Sequence, residues 1–187
     1  MAPKRRSRSG GALERQRPHD AVVVKGWTML AHPLFLDAME RLTSASERER
    51  KASPKGPPGA NTKLLAHILD LAFDKIPSDP GAAQFRHGGT LGSDRRYWFR
   101  AKTGGGRYRL FYRFHSAAKI IILAWVNDEE TLRAYESKSD AYLVFAGMLE
   151  SGNPPDDWNH LLSTVENPRT LKRLRELFER RPSPRGP

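Results

Sequence analysis

Five cations crowd residues 100–113 of this chain: Arg100, Lys102, Arg107, Arg109 and Arg113, with Trp98 and Phe111 among them. In an extended chain successive side chains point to opposite faces. From 107 to 115, Arg107, Arg109, Phe111, Arg113 and His115 therefore share one face, and Tyr108, Leu110, Tyr112 and Phe114 the other. Residues 96–102 repeat the pattern, with Trp98, Arg100 and Lys102 opposite Tyr97, Phe99 and Ala101. A guanidinium grips phosphate in a fork and aromatic rings stack on bases, so cations interleaved with rings suit single-stranded nucleic acid. A solvated sheet face laced with salt bridges to neighbouring helices has the same pattern. The residue types leave both readings open.

The elements that must position these side chains can be read around them. Strands are expected from about 96 to 126, turning at the glycines 104–106 and at Ser116–Ala118. Ile120–Val126 does not alternate and reads as a central strand buried on both faces. Upstream, Ala21–Leu30 reads as one strand. Leu34, Phe35, Ala38, Met39 and Leu42 follow at helical spacing, with Pro33 in the first turn. That helix is expected to decay into a connector over Ser44–Ala60. A second helix, capped by Asn61 or Thr62, buries Leu64, Leu65, Ile68, Leu69, Ala72 and Ile76 and ends at Pro77. A glycine-punctuated loop, Phe85–Ser93, leads into the basic strands.

Downstream, Asn127 or Asp128 is expected to cap a helix whose first-turn acids, Glu129 and Glu130, complement its dipole. Asp140 opens another helix with Tyr142, Phe145, Met148 and Leu149 inward, stopping at Gly152-Asn-Pro-Pro. Asn167-Pro168 starts a last helix carrying Leu171, Leu174 and Phe178. The order implies an α+β domain with a mainly antiparallel sheet and helices on one face. Residues 1–20 read as a disordered basic tail, 21–160 as the domain, and 161–187 as a C-terminal helix and disordered tail.

The net charge of +11 sits mainly at the ends. Residues 1–20 carry +4 and residues 169–187 carry +5, leaving +2 for the 148 residues between. Affinity for polyanions in the tails is thus generic and salt-dependent, and only the one-sided placement of arginines in the body is specific. The absence of cysteine excludes disulfides, thiolate catalysis and cysteine-bound zinc. No apolar run approaches a membrane span, and no apolar stretch follows the basic start, so a cytoplasmic protein is expected. No metal-ligand spacing appears and no cofactor is expected. The triple glycine lacks the Gly-Lys-Ser/Thr ending of a phosphate loop, and Asp156-Asp157 beside Pro-Pro reads as a solvated turn.

Several ordered stretches resemble the YhaV toxins, members of the RelE/ParE superfamily of toxin–antitoxin systems. They include Gly26-Trp-Thr-Met-Leu-Ala-His-Pro-Leu-Phe35, Phe85-Arg-His-Gly88, Gly106-Arg-Tyr-Arg-Leu-Phe111, Asn127-Asp-Glu129, Asp140-Ala-Tyr142 and Asp157-Trp158. The resemblance covers about residues 26–158. It implies a RelE-like fold and a metal-independent endoribonuclease acting on mRNA, free or on the ribosome, that inhibits translation. It also implies a cognate DNA-binding antitoxin of the PrlF type. In such enzymes the ribose 2′-hydroxyl attacks the adjacent phosphate and leaves a cyclic phosphate.

By the same resemblance, Arg100, Arg109 and Tyr135 are the expected catalytic residues. Lys102 lies near the superfamily's strand lysines. Glu129 stands where RelE-type toxins have a second arginine, so Arg86, Arg107, Arg113 and Arg133 become candidates for that role. His87 is a further candidate for acid–base work and, with those cations, for holding RNA. Two alternatives are a non-enzymatic toxin that poisons a DNA-processing complex and an RNA- or ribosome-binding module without activity.

Overall fold

The computed structural model describes residues 21–128 and 141–181. The N-terminal tail, the expected helix that includes Glu129, Arg133 and Tyr135, and the last six residues lie outside the described residues. Five strands form one sheet: β1 (Val22–Val24), β2 (Trp27–Ala31), β3 (Phe99–Thr103), β4 (Tyr108–His115) and β5 (Ile120–Val126), in the order β1-β2-β5-β4-β3. Neighbours are antiparallel except β2 and β5. The sheet is the expected mainly antiparallel one of an α+β fold.

The single strand expected over 21–30 is a hairpin. Lys25 and Gly26 both take positive φ, 49° and 82°, and Val24 pairs with Trp27 across them. Two consecutive positive-φ residues give the turn whose twist matches paired strands. Lysine rather than asparagine in the first place hid the signal. The turn expected at Gly104–Gly106 has φ of 57°, 66° and 84°, a conformation suited to glycine.

Helix α1 (Pro33–Ala52) runs ten residues beyond Leu42, the last residue of its apolar spacing. Its last turns are held by α2 (Ala60–Asp70) rather than by a core stripe. Ser46 is buried and lies 2.9 Å from the Thr62 hydroxyl. The Glu49 carboxylate accepts the backbone N–H groups of Asn61 and Thr62 at 2.9 and 3.0 Å. A side chain from the previous helix therefore caps α2, and Asn61 and Thr62 are its first-turn residues instead of its cap. The helix continues through a π-helical turn, Leu71–Lys75, and ends with Ile76–Ser78.

The helices do not keep to one face. Met29, Ala31, Leu110, Tyr112, Ile121 and Leu123 pack with α1, α2 and the second half of α5 (Pro168–Glu179). On the opposite face, Leu30, Trp98, Phe111, Ile122, Ala124 and Trp125 are covered by α3 (Ala141–Glu150) and α4 (Trp158–Val165). The apolar content of β5 requires this, since a strand buried on both sides needs two covers. A bulge between the 111 and 112 registers helps, because Phe111 pairs with Trp125 and Tyr112 with Leu123. Ala124 and Trp125 thereby join the same cluster. Helix α5 gives Leu171 to one cluster and Leu174 and Leu177 to the other. The segment after residue 160 therefore packs with the rest, and a boundary at 160 would cut through α4.

Candidate active site

Strand register puts the cations where alternation placed them. Lys102 lies directly opposite Arg109, and Arg100 opposite Phe111, so Arg100 and Arg109 are diagonal neighbours on one face. Diagonal Cβ atoms on an antiparallel pair lie roughly 7–8 Å apart, within reach of two guanidinium groups. Like charges directly opposite are unfavourable by some tenths of a kcal/mol. A fold that keeps Lys102 and Arg109 so placed has an anion-seeking edge.

Tyr142, from α3, joins the two arginines. Its hydroxyl accepts from Arg100 Nε at 2.6 Å, while Arg109 lies over its ring, Cζ 5.1 Å from the centroid. Arg100 also donates from Nη1 to the Gln84 carbonyl at 2.7 Å. The buried Arg109 Nε has no hydrogen-bond acceptor among the described residues. Its backbone is fixed instead: the Arg109 N–H donates to Asn127 Oδ1 at 2.6 Å, and Asn127 Nδ2 donates to the Arg107 carbonyl at 3.1 Å. Asn127 is buried and spends its amide on β4. Its expected alternative use, capping the next helix, falls on residues outside the description.

Tyr142 was legible in sequence only as an inward-facing core residue. Its ring does pack, edge-on to Phe111 at 5.6 Å. The hydroxyl that meets Arg100 had no signature in spacing. Tyr135 and Arg133 lie outside the described residues.

The remaining candidates separate. Lys102 and Arg107 are exposed near Arg109, with Arg107 5.8 Å over the Tyr108 ring. Arg86 is exposed on the other side of β3, 5.5 Å over Phe99, a ring of the α1–α2 core. Arg113 is not on an open surface. It is 9% exposed, lies over Tyr97 at 4.2 Å and over Trp98 and Trp158 at 5.3 Å, and donates from Nη1 to the Asp156 carbonyl at 2.6 Å. Burial lowers its pKa from the ordinary arginine value, and Tyr97, Asp156 and Asp157 pull the other way. A cation so enclosed cements packing and is not displayed to RNA.

His87 is also buried. Nδ1 accepts from the Leu91 N–H at 3.4 Å and Nε2 reaches the Arg95 carbonyl at 3.0 Å. These partners occupy both nitrogens, so His87 organises the loop and has none to offer a substrate.

Trp98 and Phe111, the rings expected between the cations, are fully buried: Trp98 meets Phe145 edge-on at 5.0 Å and Phe111 stacks on it at 4.2 Å. Asp156 corrects the reading of a solvated turn. Its carboxylate accepts from Trp98 Nε1 at 2.7 Å, Tyr97 Oη at 3.0 Å and Arg95 Nε at 3.1 Å. Asp157 caps α4 by accepting the His160 N–H at 2.8 Å. Among the described residues no group of His, Asp and Glu is placed to hold a metal ion.

Residues 29–166 match the model of a family, Toxin_YhaV, described as a toxin with endonuclease activity, of a toxin–antitoxin system. The chain belongs to the YhaV toxin family. Curated relatives agree: it is 43% identical over 145 residues to Toxin YhaV of Escherichia coli O6:H1 and to Ribonuclease toxin YhaV of Escherichia coli K12. Each alignment covers 76% of this chain and 94% of the relative. No solved structure matches. Membership of a YhaV toxin–antitoxin system implies an antitoxin partner. No described helix is long and apolar enough to cross a membrane.

Proposed function

We propose that this YhaV-family endonuclease is a metal-independent endoribonuclease that cuts mRNA and so inhibits translation, with Arg100, Arg109 and Tyr142 at its centre. The observation that carries the reading is the pair of diagonal arginines joined by one tyrosine, with Lys102 beside them. The name of the K12 relative, a ribonuclease toxin, supports RNA as the substrate.

In the reaction the 2′-oxygen attacks phosphorus, the bond to the 5′-oxygen breaks, and that oxygen takes up a proton. The products are a 2′,3′-cyclic phosphate and a 5′-hydroxyl end. The pentacoordinate phosphorane carries extra negative charge, and fixed guanidinium donors stabilise it without reorganising. Asn127 and the β4 ladder hold the Arg109 backbone, while Tyr142 and the Gln84 carbonyl aim Arg100. Lys102 is exposed and suited to the incoming phosphate. A base takes the proton of the 2′-hydroxyl and an acid protonates the leaving oxygen; Tyr135, by the family resemblance, stacks on or orients the nucleotide.

The antitoxin is proposed to be a DNA-binding protein of the PrlF type whose carboxylates cover these cations. The experiment is incubation of purified protein with RNA in chelator, with and without ribosomes, followed by end analysis. Cyclic phosphate ends are expected. Intact RNA in both arms, or cleavage restored only by magnesium, would overturn the mechanism and favour a poison of DNA processing or a binding module.

A further inference from the structure

Stacking on a base needs an exposed ring, and the two rings expected among the cations are buried. Among the described Phe, Tyr and Trp side chains, Tyr97 is the one that is strongly exposed, at 42%. It is also firmly held. The Arg113 guanidinium backs the ring at 4.2 Å, and the hydroxyl is tied to Asp156 at 3.0 Å. Backed on one side and pinned at its tip, the ring offers its remaining face to solvent at little further ordering cost. Arg96, the preceding residue, is exposed, and its side chain makes no hydrogen bond or ion pair among the described residues. Both sit in the turn before β3, where the sequence pattern had placed strand.

We infer that Arg96 and Tyr97 form a nucleotide subsite for single-stranded RNA, Arg96 meeting a phosphate and a base stacking on the open face of Tyr97. The subsite rests on the RNA reading above and adds to it a place for a nucleotide flanking the one being cut. Arg113, which backs the ring, is four residues along β4 from Arg109. At about 3.4 Å per residue that is roughly 14 Å, too far for one nucleotide to touch both. Because every base has a stacking face, the subsite is tolerant of sequence, and its preference follows stacking strength.

The test uses a 2′-O-methyl oligonucleotide, which cannot supply the attacking hydroxyl, with 2-aminopurine placed at successive positions. Wild type is expected to quench fluorescence most strongly at one position. Tyr97→Ala should abolish that quench and weaken binding roughly tenfold to a hundredfold. Tyr97→Trp should retain both, as should Tyr97→Phe, which loses only the bond to Asp156. Arg96→Ala should weaken binding and lower the salt slope by about 0.7.

Binding by Tyr97→Ala within twofold of wild type, with the quench intact, would overturn the subsite. Equal loss in Tyr97→Phe would overturn it too, since the tyrosine would then serve only to tether the loop. A wild-type protein that cuts RNA without any quench sinks the subsite alone. One that quenches without cutting sinks the ribonuclease reading and leaves the subsite standing. No binding by wild type sinks both.

Discussion

At the scale of residues, the arginines and Tyr142 do separable work. Arg109→Ala should reduce the single-turnover rate about a hundredfold, as loss of a preorganised donor does. Arg109→Lys should recover only part, since an ammonium keeps charge but not the fork. Tyr142→Phe keeps the ring beneath Arg109 and removes the acceptor of Arg100 Nε. A hydrogen bond to a charged group contributes about 1.5–3 kcal/mol to stability, so the melting temperature is expected to fall by several degrees. The loss of aim of Arg100 is expected to lower the rate roughly tenfold or more. Tyr142→Phe at the wild-type rate would remove the tyrosine from the site. Tyr135→Phe measured beside it decides which tyrosine serves the reaction.

Alternation in sequence sufficed to put Arg100, Lys102 and Arg109 on one face, because strand geometry leaves no other choice. It could not tell that Arg113, on the same face, is roofed by Tyr97, Trp98 and Trp158. That roof comes from a turn and from α4, distant in sequence. Asp156 and Tyr142 were missed for the same reason, since each acts on partners 40 or more residues away.

At the scale of elements, local signals worked where the chain acts on itself and failed where another element intervened. The core stripe of α1 ends near Leu42, yet the helix runs on because Glu49 and Ser46 have partners in α2. The start of α1 carries a testable liability. His32 is buried, and its Nδ1 accepts the Leu34 N–H at 3.3 Å, so the cap needs a neutral imidazole. Burial lowers its pKa to about 4, with Asp37 pulling upward.

Between pH 6.5 and 4 the unfolded chain therefore takes up a proton that the folded one refuses. Stability is complete above that window and falls as pH drops through it. The loss at pH 5 is about 2 kcal/mol, a melting shift of several degrees for a chain of this size. His32→Asn can cap without titrating. Thermal melts at pH 7 and 5 should show a smaller drop for this variant than for wild type, and an equal drop would assign the acid sensitivity elsewhere.

At the scale of the whole molecule, the sheet is closed at its centre by strands far apart in the chain. β2 pairs with β5 in parallel, Thr28 against Ile120 and Ala31 against Leu123. The cover over Arg109 comes later still, with Tyr142 in α3, and Leu174 and Leu177 of α5 finish the opposite core. Contacts of such long sequence separation form slowly and late. During synthesis the β1–β2 hairpin must wait for residues about 90 positions downstream before β2 gains its second partner, and the cationic face waits longer for its tyrosine. A site arranged this way is expected to be complete only when almost the whole message has been read. Arrested nascent chains should resist protease over β4 and β5 only once α3 has left the ribosome. Protection appearing with β5 alone would contradict this built-in delay.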